Sequence, residues 1–327
     1  MRKPILVAAV STAILAAVCG GTADAQTFPS RPITMIVPLA IGGSTDVIAR
    51  IVAEGMRATL GQPVVVENVT GAGGTLGVGR VARAAPDGYT ICLGQWGTNM
   101  ANGAIYPLQY DIIGDFDPVA LIANQPFLID SRKTLPAKDL KDLIAWLKAN
   151  ADKATEGNSG IGTPSHVAGI LLQNTLGIRW QMVPYRSAGL SMADLVAGQI
   201  DILLDTPAVS LPQVKGGLIK AYAVTAKSRI AVAPDIPTVD EAGLPGFYFS
   251  FWHAVWVPKG TPKPVIAKLN EAVVNALADP LVRKRLTDIA QDIYPRDQLT
   301  PDALGAFHRA EAEKWWPIIK AAGIKAE

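Results

Sequence analysis

The stretch Ile33–Leu60, ITMIVPLAIGGSTDVIARIVAEGMRATL, decides the fold of this protein. Its apolar, β-branched opening, Ile33–Leu39, is typical of a strand buried on both faces. Apolar residues then recur at helical spacing from Val47 onward, and Gly61 ends the helix. A buried strand leading through a glycine-rich loop into an amphipathic helix predicts an α/β protein with a parallel sheet.

The alternation of strands and helices continues in both directions from this unit. Strands at 63–68 and 89–94 flank a helix at 76–85, and right-handed crossovers would place all three strands in one parallel sheet. A second alternation of helices and strands occupies residues 136–226, and three helical stretches close the chain after residue 260.

Two long extended segments separate these units: FDPVALIANQPFLID at 116–130 and GFYFSFWHAVWVPKG at 246–260. They indicate a discontinuous first domain that the chain leaves and re-enters. We therefore predict two α/β lobes joined by two crossing extended segments, with a ligand in the cleft between them. The first lobe would comprise residues 26–124 plus 251–327, the second lobe residues 125–250, and the hinge would lie near 124–127 and 249–253.

Composition excludes several functional classes. The chain has 327 residues, enough for two domains, and 49% of them are hydrophobic while 18% are charged. The net charge of +2 is small and evenly spread, with no run of Lys and Arg, which argues against nucleic acid or an acidic membrane surface as a partner.

The N-terminus predicts export. Arg2 and Lys3 precede an apolar run, Ile5–Val18, and the small residues of TADA (22–25) form a signal-peptidase site, so residues 1–25 would be removed and Gln26 would be first. The alternatives are a membrane anchor, for which the apolar run is short, and lipidation at Cys19. After cleavage Cys92 remains alone, so no internal disulfide forms, and we expect a buried, inert thiol.

Two glycine-rich loops of the first lobe are candidate anion sites. In IGGSTD (41–46) the glycines allow close approach, and the helix that follows directs free amides at the loop, although a plain strand-to-helix connection has the same composition. Asp46 would bind a ligand hydroxyl or amine, fix the loop, or favour the helix N-terminus. In GAGGTLG (71–77) the amides of Gly73, Gly74 and Thr75 would hold a small anion.

A nucleotide is excluded at this second loop. Leu76 replaces the third glycine of the dinucleotide motif, the acidic residue expected about 20 residues later is absent, and no Gly-Lys-Ser/Thr occurs. A third loop, 94–106, follows the next strand: Thr98 and Asn99 offer hydrogen bonds there, and Trp96 offers either an apolar wall for a ligand or a core side chain.

The second lobe repeats this pattern in GNSGIGTPSHVAG (157–169). This loop precedes a helix that starts near Pro164. Ser159, Thr163, Ser165 and His166 are candidates for side chains that face the cleft. Ile161 breaks the G-x-S-x-G esterase motif. Arg186 could clamp a carboxylate directly, although a lone loop Arg is more often solvated, and Asp205 could anchor the cleft loops.

Metal or cofactor chemistry has little support in the sequence. The three histidines, His166, His253 and His308, show no metal-ligand spacing, and no nucleophile–base–acid set is recognisable. We therefore predict no metal, no cofactor and no catalytic residues.

The chain resembles the Bug family, the periplasmic solute receptors of tripartite tricarboxylate transporters. The resemblance rests on residues 33–50, 60–77, 85–90, 183–189 and 235–246, in this order behind a signal peptide. It implies a two-domain type II periplasmic binding protein fold and a monomeric receptor without enzymatic activity. The implied ligand is a small di- or tricarboxylate or an aromatic carboxylate, and the implied partner is the transporter's membrane permease.

The resemblance also implies that backbone amides and small hydroxyls hold the carboxylate. The positions it implies are Ile41, Gly42, Gly43, Asp46, Gly73, Gly74, Thr75, Thr98, Asn99, Ser159, Gly160, Thr163, His166, Tyr185 and Asp205. Three departures from the family pattern, Ile41 in place of Pro, Trp96 and Arg186, suggest a ligand with an apolar or aromatic body. The alternative function is an exported α/β hydrolase that uses Ser159 and His166.

Overall fold

The computed structural model describes residues 28–325. The signal-peptide prediction for residues 1–25 lies outside the described residues. No helix in the described range combines the length and apolar character needed to cross a bilayer.

A six-stranded sheet forms the centre of the first lobe. Its strands are β1 (Ile33–Val37), β2 (Val64–Asn68), β3 (Thr90–Gln95), β4 (Phe116–Pro126), β10 (Ser250–Pro258) and β11 (Asp292–Ile293). Their order is β11-β4-β10-β3-β1-β2. β1 pairs in parallel with β2 and β3, whereas β10 runs antiparallel between β3 and β4. Parallel pairing brings the loops that follow β1, β2 and β3 to one edge of the sheet.

A five-stranded sheet forms the second lobe. Its strands are β5 (Leu128–Arg132), β6 (Thr155–Asn158), β7 (Gln181–Pro184), β8 (Ile202–Asp205) and β9 (Ile219–Val224), in the order β7-β6-β8-β5-β9. β6 is parallel to β7 and β8, and β5 runs antiparallel to β8 and β9. Both lobes thus share one plan: three parallel strands beside an antiparallel strand that arrives from the other lobe.

Helices cover both sheets. They are α1 (Ser44–Leu60), α2 (Thr75–Ala82), α3 (Asn102–Ile105), α4 (Leu140–Ala149), α5 (Pro164–Leu176), α6 (Ala188–Ala197), α7 (Pro207–Lys215), α8 (Lys263–Ala278), α9 (Pro280–Asp288) and α10 (Pro301–Ala321). The stripe of α1 predicted from the sequence is buried on the sheet, including Ile48, Val52 and Met56. Cys92 lies fully buried in β3, where burial raises the pKa of its thiol to about 12, so the expectation of a buried thiol is confirmed.

The two predicted crossing segments connect the lobes. β4 passes through Phe127 directly into β5, and Phe249 leads back into β10. Thr225, which follows β9, joins the two: its Oγ1 accepts a hydrogen bond from the Phe127 amide at 2.8 Å and donates one to the Phe249 carbonyl at 2.7 Å. The two-lobed plan with two crossing extended segments is therefore confirmed.

Helical structure also occurs in segments where no helix was predicted. α7 begins at Pro207 and contains Pro212, so its sequence reads as a loop, yet Pro207 occupies the first turn, where proline fits a helix. Residues Gly97–Ala101 form a π-helical turn directly after β3, where we predicted only a loop.

Candidate ligand-binding site

A cavity of about 510 Å³ lies between the two lobes, within the size range of small-molecule sites. The first lobe contributes the loops that follow β1, β2 and β3, and the second lobe contributes the loop between β6 and α5. The lining residues are Leu39, Ala72, Gly73, Gln95, Gly97, Asn102, Ile105, Tyr106, Ile161, Gly162, Thr163, Pro164 and Lys325. The cavity therefore lies where the sequence placed the candidate loops, with Gly73 and Thr163 as the predicted residues among its lining.

Asp46 fixes the first loop and does not face the cavity. It is 2% exposed; its Oδ2 accepts from the Gly42 amide at 2.9 Å, its Oδ1 accepts from Asn68 Nδ2 at 3.0 Å, and Arg50 forms an ion pair with it at 2.9 Å. Burial raises the pKa of Asp46, but the hydrogen bonds from Arg50, Gly42 and Asn68 and the charge of Arg50 outweigh burial, so the pKa lies below its ordinary value. Of the three roles considered for Asp46, the geometry supports fixing the loop.

The N-termini of α1 and α2 lack side-chain caps. Gly43 occupies the N-cap of α1 and Gly74 that of α2, and neither helix start receives a side-chain hydrogen bond. In contrast, Thr163 caps α5 and Ser187 caps α6. No side chain occupies the first-turn amides of α1 and α2. The Thr75 amide donates to the Ala72 carbonyl, and the other first-turn amides are open to an acceptor from outside the helix, as an anion site requires.

The second loop has an unusual backbone. Gly71, Ala72, Gly73 and Gly74 all have positive φ, at 122°, 46°, 64° and 93°. A Cβ on Gly73 would lie 2.5 Å from Tyr106 Oη, and one on Gly74 would lie 2.7 Å from Thr98 Cγ2 and 2.9 Å from the Pro38 carbonyl. Both glycines are therefore required by conformation and by close packing against neighbouring residues.

The third loop presents different residues from those predicted. Thr98 and Asn99 are 1% exposed and hydrogen-bond to each other at 2.8 Å, and Trp96 is fully buried against Phe249 and Trp315. Thr98 and Asn99 lie in the π-helical turn and Trp96 directly precedes it, and all three side chains are buried in the core. Gln95, Gly97, Asn102 and Tyr106 line the cavity in their place, with Asn102 Nδ2 donating to the Gly73 carbonyl at 2.9 Å.

In the second lobe the small polar residues hold their own loop. Thr163 Oγ1 donates to the Gly160 carbonyl at 2.6 Å, and the Ser159 amide donates to Ser165 Oγ at 2.9 Å. Among residues 28–325 nothing hydrogen-bonds Ser159 to His166, because His166 Nδ1 accepts from the Gly162 amide at 3.1 Å. Burial lowers the pKa of His166, so a neutral ring makes this contact. Gly160 has a φ of 118° and its amide donates to Asn158.

The predicted rim residues lie apart from the cavity lining. The Tyr185 hydroxyl donates to Asp194 at 2.7 Å, and Arg186 is exposed without an ion pair among the described residues. Asp205 is 4% exposed at the end of β8 and accepts from the Thr206 amide at 2.6 Å; burial raises its pKa to about 6. Ile41, Gly42, Gly43, Gly74 and Thr75 also lie outside the lining.

The remaining histidines are core residues. His253 is fully buried, its ring hydrogen-bonds to Thr45 Oγ1 at 3.2 Å, and burial lowers its pKa to about 3. Burial also lowers the pKa of His308 to about 4. Within the described range no group of three His, Cys, Asp or Glu side chains is placed to hold a metal ion.

Comparison with known proteins agrees with this geometry. Residues 48–324 match the model of a family described as the tripartite tricarboxylate transporter family receptor. The structure of the periplasmic binding protein BugD is 40% identical, with a TM-score of 0.76 over 91% of this chain and all of that one.

Two solved structures that are at least 30% identical to this chain contain ligands. MatC from Rhodopseudomonas palustris, with bound malate, is 40% identical with a TM-score of 0.76, covering 89% of this chain and 100% of MatC. A second R. palustris protein, Rpa4515 with adipate, is 30% identical with a TM-score of 0.78. The match covers 91% of this chain and 100% of the Rpa4515 chain. Both are similar to this chain over nearly its whole described length.

Proposed function

The chain belongs to the tripartite tricarboxylate transporter receptor family, and we propose that it captures a small dicarboxylate between its lobes and delivers it to a membrane permease. It is a periplasmic solute-binding protein with the type II two-lobed fold, and the family is one of receptors rather than enzymes. The hydrolase alternative is therefore set aside.

One observation carries the proposal: the interlobe cavity is bordered by loops that lead into helices without side-chain caps. The loop before α1 reaches the cavity at Leu39, and the loop before α2 reaches it at Gly73. Since no side chain caps α1 or α2, a carboxylate that reaches their first turns from the cavity would accept hydrogen bonds from main-chain amides. No Arg is needed for this contact.

The lining of the cavity supports a dicarboxylate with an aliphatic body. Apolar walls come from Leu39, Ile105, Tyr106, Ile161 and Pro164. Polar groups are few, as is usual where a small number of contacts fixes ligand orientation. Related structures hold malate and adipate, both dicarboxylates, and the aliphatic chain of adipate is the closer match to these walls.

Several finer expectations belong to the same proposal. The mature receptor would begin at Gln26 and act as a monomer in the periplasm. Its first lobe would comprise residues 26–124 plus 251–327, and its second lobe residues 125–250. The lobes would close over the ligand by bending of the two chain crossings, near 124–127 and 249–253.

A ligand screen tests the function. Purified mature protein would be tested by thermal shift and then calorimetry against succinate, malate, adipate, citrate, benzoate and neutral diesters of the same acids. We expect stabilisation by at least one dicarboxylate and none by its diester, because only the ionised group matches the amides. Stabilisation by diesters and acids alike, or by no acid at all, would contradict the proposal.

A further inference from the structure

The C-terminal tail of the chain reaches the interlobe cavity. α10 ends at Ala321, and Gly323 adopts a left-handed conformation with a φ of 66°. The Gly323 amide donates to the Lys320 carbonyl at 3.0 Å, and the Ile324 amide donates to the Ile319 carbonyl at 3.3 Å. This helix-ending turn reverses the chain and fixes the direction in which the next residue leaves.

Ile324 anchors the tail where the two lobes meet. Its side chain is 4% exposed and belongs to the main hydrophobic core. A Cβ built on Gly162 of the second lobe would lie 3.6 Å from Ile324 Cγ2 and 3.2 Å from Ile105 Cδ1 of the first lobe. The tail is thus packed against the second-lobe loop that lines the cavity, and the residue after Ile324 is held at the cleft.

That residue, Lys325, is the one charged member of the described cavity lining. The other lining residues are glycine, alanine, apolar, amide or hydroxyl side chains, and no carboxylate is among them. Lys325 takes part in no ion pair between described residues. Within residues 28–325 the lining therefore contains one positive charge and no negative one, which favours a negatively charged group in the cavity.

A dicarboxylate needs two kinds of recognition in this cavity. Helix amides can receive one carboxylate, but apart from Lys325 the described lining offers the second carboxylate no opposite charge, and an unpaired charge is costly to desolvate. A lysine ammonium is a compact charge with three donors on a flexible four-carbon stem, so it can meet a carboxylate over a range of distances.

We propose that Lys325, held at the cleft by the buried Ile324, pairs with the second carboxylate and makes the receptor select dicarboxylates over monocarboxylates of equal length. This inference rests on the proposed function of the cavity. It assigns a specificity-determining role to Lys325, which lies outside every loop that the sequence identified.

The test compares Lys325→Gln with the wild-type receptor, using adipate against hexanoate and succinate against butyrate in calorimetry. We expect the variant to lose about tenfold in dicarboxylate affinity, typical of a charge-assisted hydrogen bond, with less than about twofold change for monocarboxylates. Lys320→Gln, which removes an equal charge from the exposed end of the same helix, should leave both classes unchanged within about twofold.

The outcomes separate this inference from the proposed function. If the wild-type receptor binds dicarboxylates and Lys325→Gln binds them equally well, the assignment of Lys325 is wrong while the function stands. An equal loss for dicarboxylates and monocarboxylates would also overturn it, because the residue would then support the site in general. A wild-type receptor that binds no carboxylate would refute the function itself and this inference with it.

Discussion

Asp46 shows how a single residue can organise a binding loop without touching the ligand cavity. Asp46 lies at the start of α1 and is only 2% exposed. Its carboxylate accepts hydrogen bonds from Gly42, Arg50 and Asn68. A negative charge beside the proposed carboxylate site would repel the ligand, but here Arg50 neutralises it at 2.9 Å. The loop is therefore held in shape by a charge that is already paired.

Replacing this carboxylate should weaken the fold. We expect Asp46→Asn to lower the free energy of unfolding by about 2 kcal/mol, because it removes the ion pair and mismatches buried donors. Urea unfolding measures the loss. Asp288→Asn breaks the exposed pair with Lys284 and serves as the control, with an expected change under about 0.5 kcal/mol. Equal effects in both variants would show that Asp46 does not hold the loop.

Gly43 offers a cleaner probe of the amide site than Gly74. At Gly74 any side chain meets Thr98 and the Pro38 carbonyl, so a valine there would disturb the fold itself. Gly43 has an ordinary φ of −74°, and a Cβ added to it would have the Ala40 carbonyl oxygen as its nearest neighbour, at 3.4 Å. Bulk at position 43 can therefore be varied at small conformational cost.

We expect Gly43→Val to abolish ligand-induced thermal stabilisation, because a branched side chain covers the first-turn amides of α1. The free energy of unfolding of the unliganded variant should fall by only about 1 kcal/mol, the usual effect of a poor N-cap residue. Gly43→Ala adds less bulk and should keep most of the shift. Full ligand-induced stabilisation in the valine variant would remove the α1 amides from the site.

At the scale of elements, β6 and α5 enclose an acid that takes no part in binding. Glu156 of β6 is fully buried, and its Oε2 accepts from Trp180 Nε1 at 2.7 Å. α5 packs so closely here that a Cβ on Gly169 would lie 2.0 Å from Glu156 Oε1. Burial raises the pKa of Glu156 to about 8, although the Trp180 hydrogen bond opposes this, so the group is largely protonated at neutral pH.

This raised pKa predicts a pH dependence of stability. Between its ordinary value of 4.5 and about 8, the folded state keeps a proton that the unfolded state has lost, so stability falls as pH rises through this window. Glu156→Gln keeps an acceptor for Trp180 and removes the titration. The free energy of unfolding of the variant, measured relative to wild type by urea unfolding, should therefore rise by on the order of 3 kcal/mol from pH 5 to pH 8. A constant difference across that range would contradict the raised pKa.

At the scale of the whole molecule, Thr225 connects the two chain crossings. It is 1% exposed, and its hydroxyl bonds to both Phe127 and Phe249, the points where the chain passes between lobes. Three aromatic rings, Phe127, Phe249 and Trp315, pack edge to face around this junction. Hinge rotation would have to preserve this cluster, which favours bending at the strands on either side.

Removing the hydroxyl should weaken the junction. We expect Thr225→Val to lower the free energy of unfolding by about 2 kcal/mol. Valine preserves the shape of the side chain but leaves the Phe249 carbonyl and the Phe127 amide without the hydrogen bond to the hydroxyl. Hydrogen exchange at the Phe127 amide should accelerate in the same variant. Thr225→Ser retains the hydroxyl and should exchange as slowly as wild type. Unchanged exchange in the valine variant would mean that the hydroxyl does not secure the crossing.

The sequence by itself determined the alternation of strands and helices, the two lobes, the crossings and the loops that carry the cavity. These features follow from local periodicity and from glycine or proline at chain reversals, which neighbouring residues specify. The buried stripe of α1 and the loop at Gly73 illustrate this. The family resemblance supplied the receptor class.

Only the tertiary structure decided which side chains face the cavity. Around the π-helical turn at Gly97–Ala101, the predicted Trp96, Thr98 and Asn99 are buried and Gln95, Gly97 and Asn102 line the cavity instead. Asp46 is held away from the cavity by Arg50 and Asn68. Lys325 reaches the cleft from far along the chain because Ile324 is buried at the meeting of the lobes. Such placements depend on packing between segments distant in sequence, for which local pattern carries no signal.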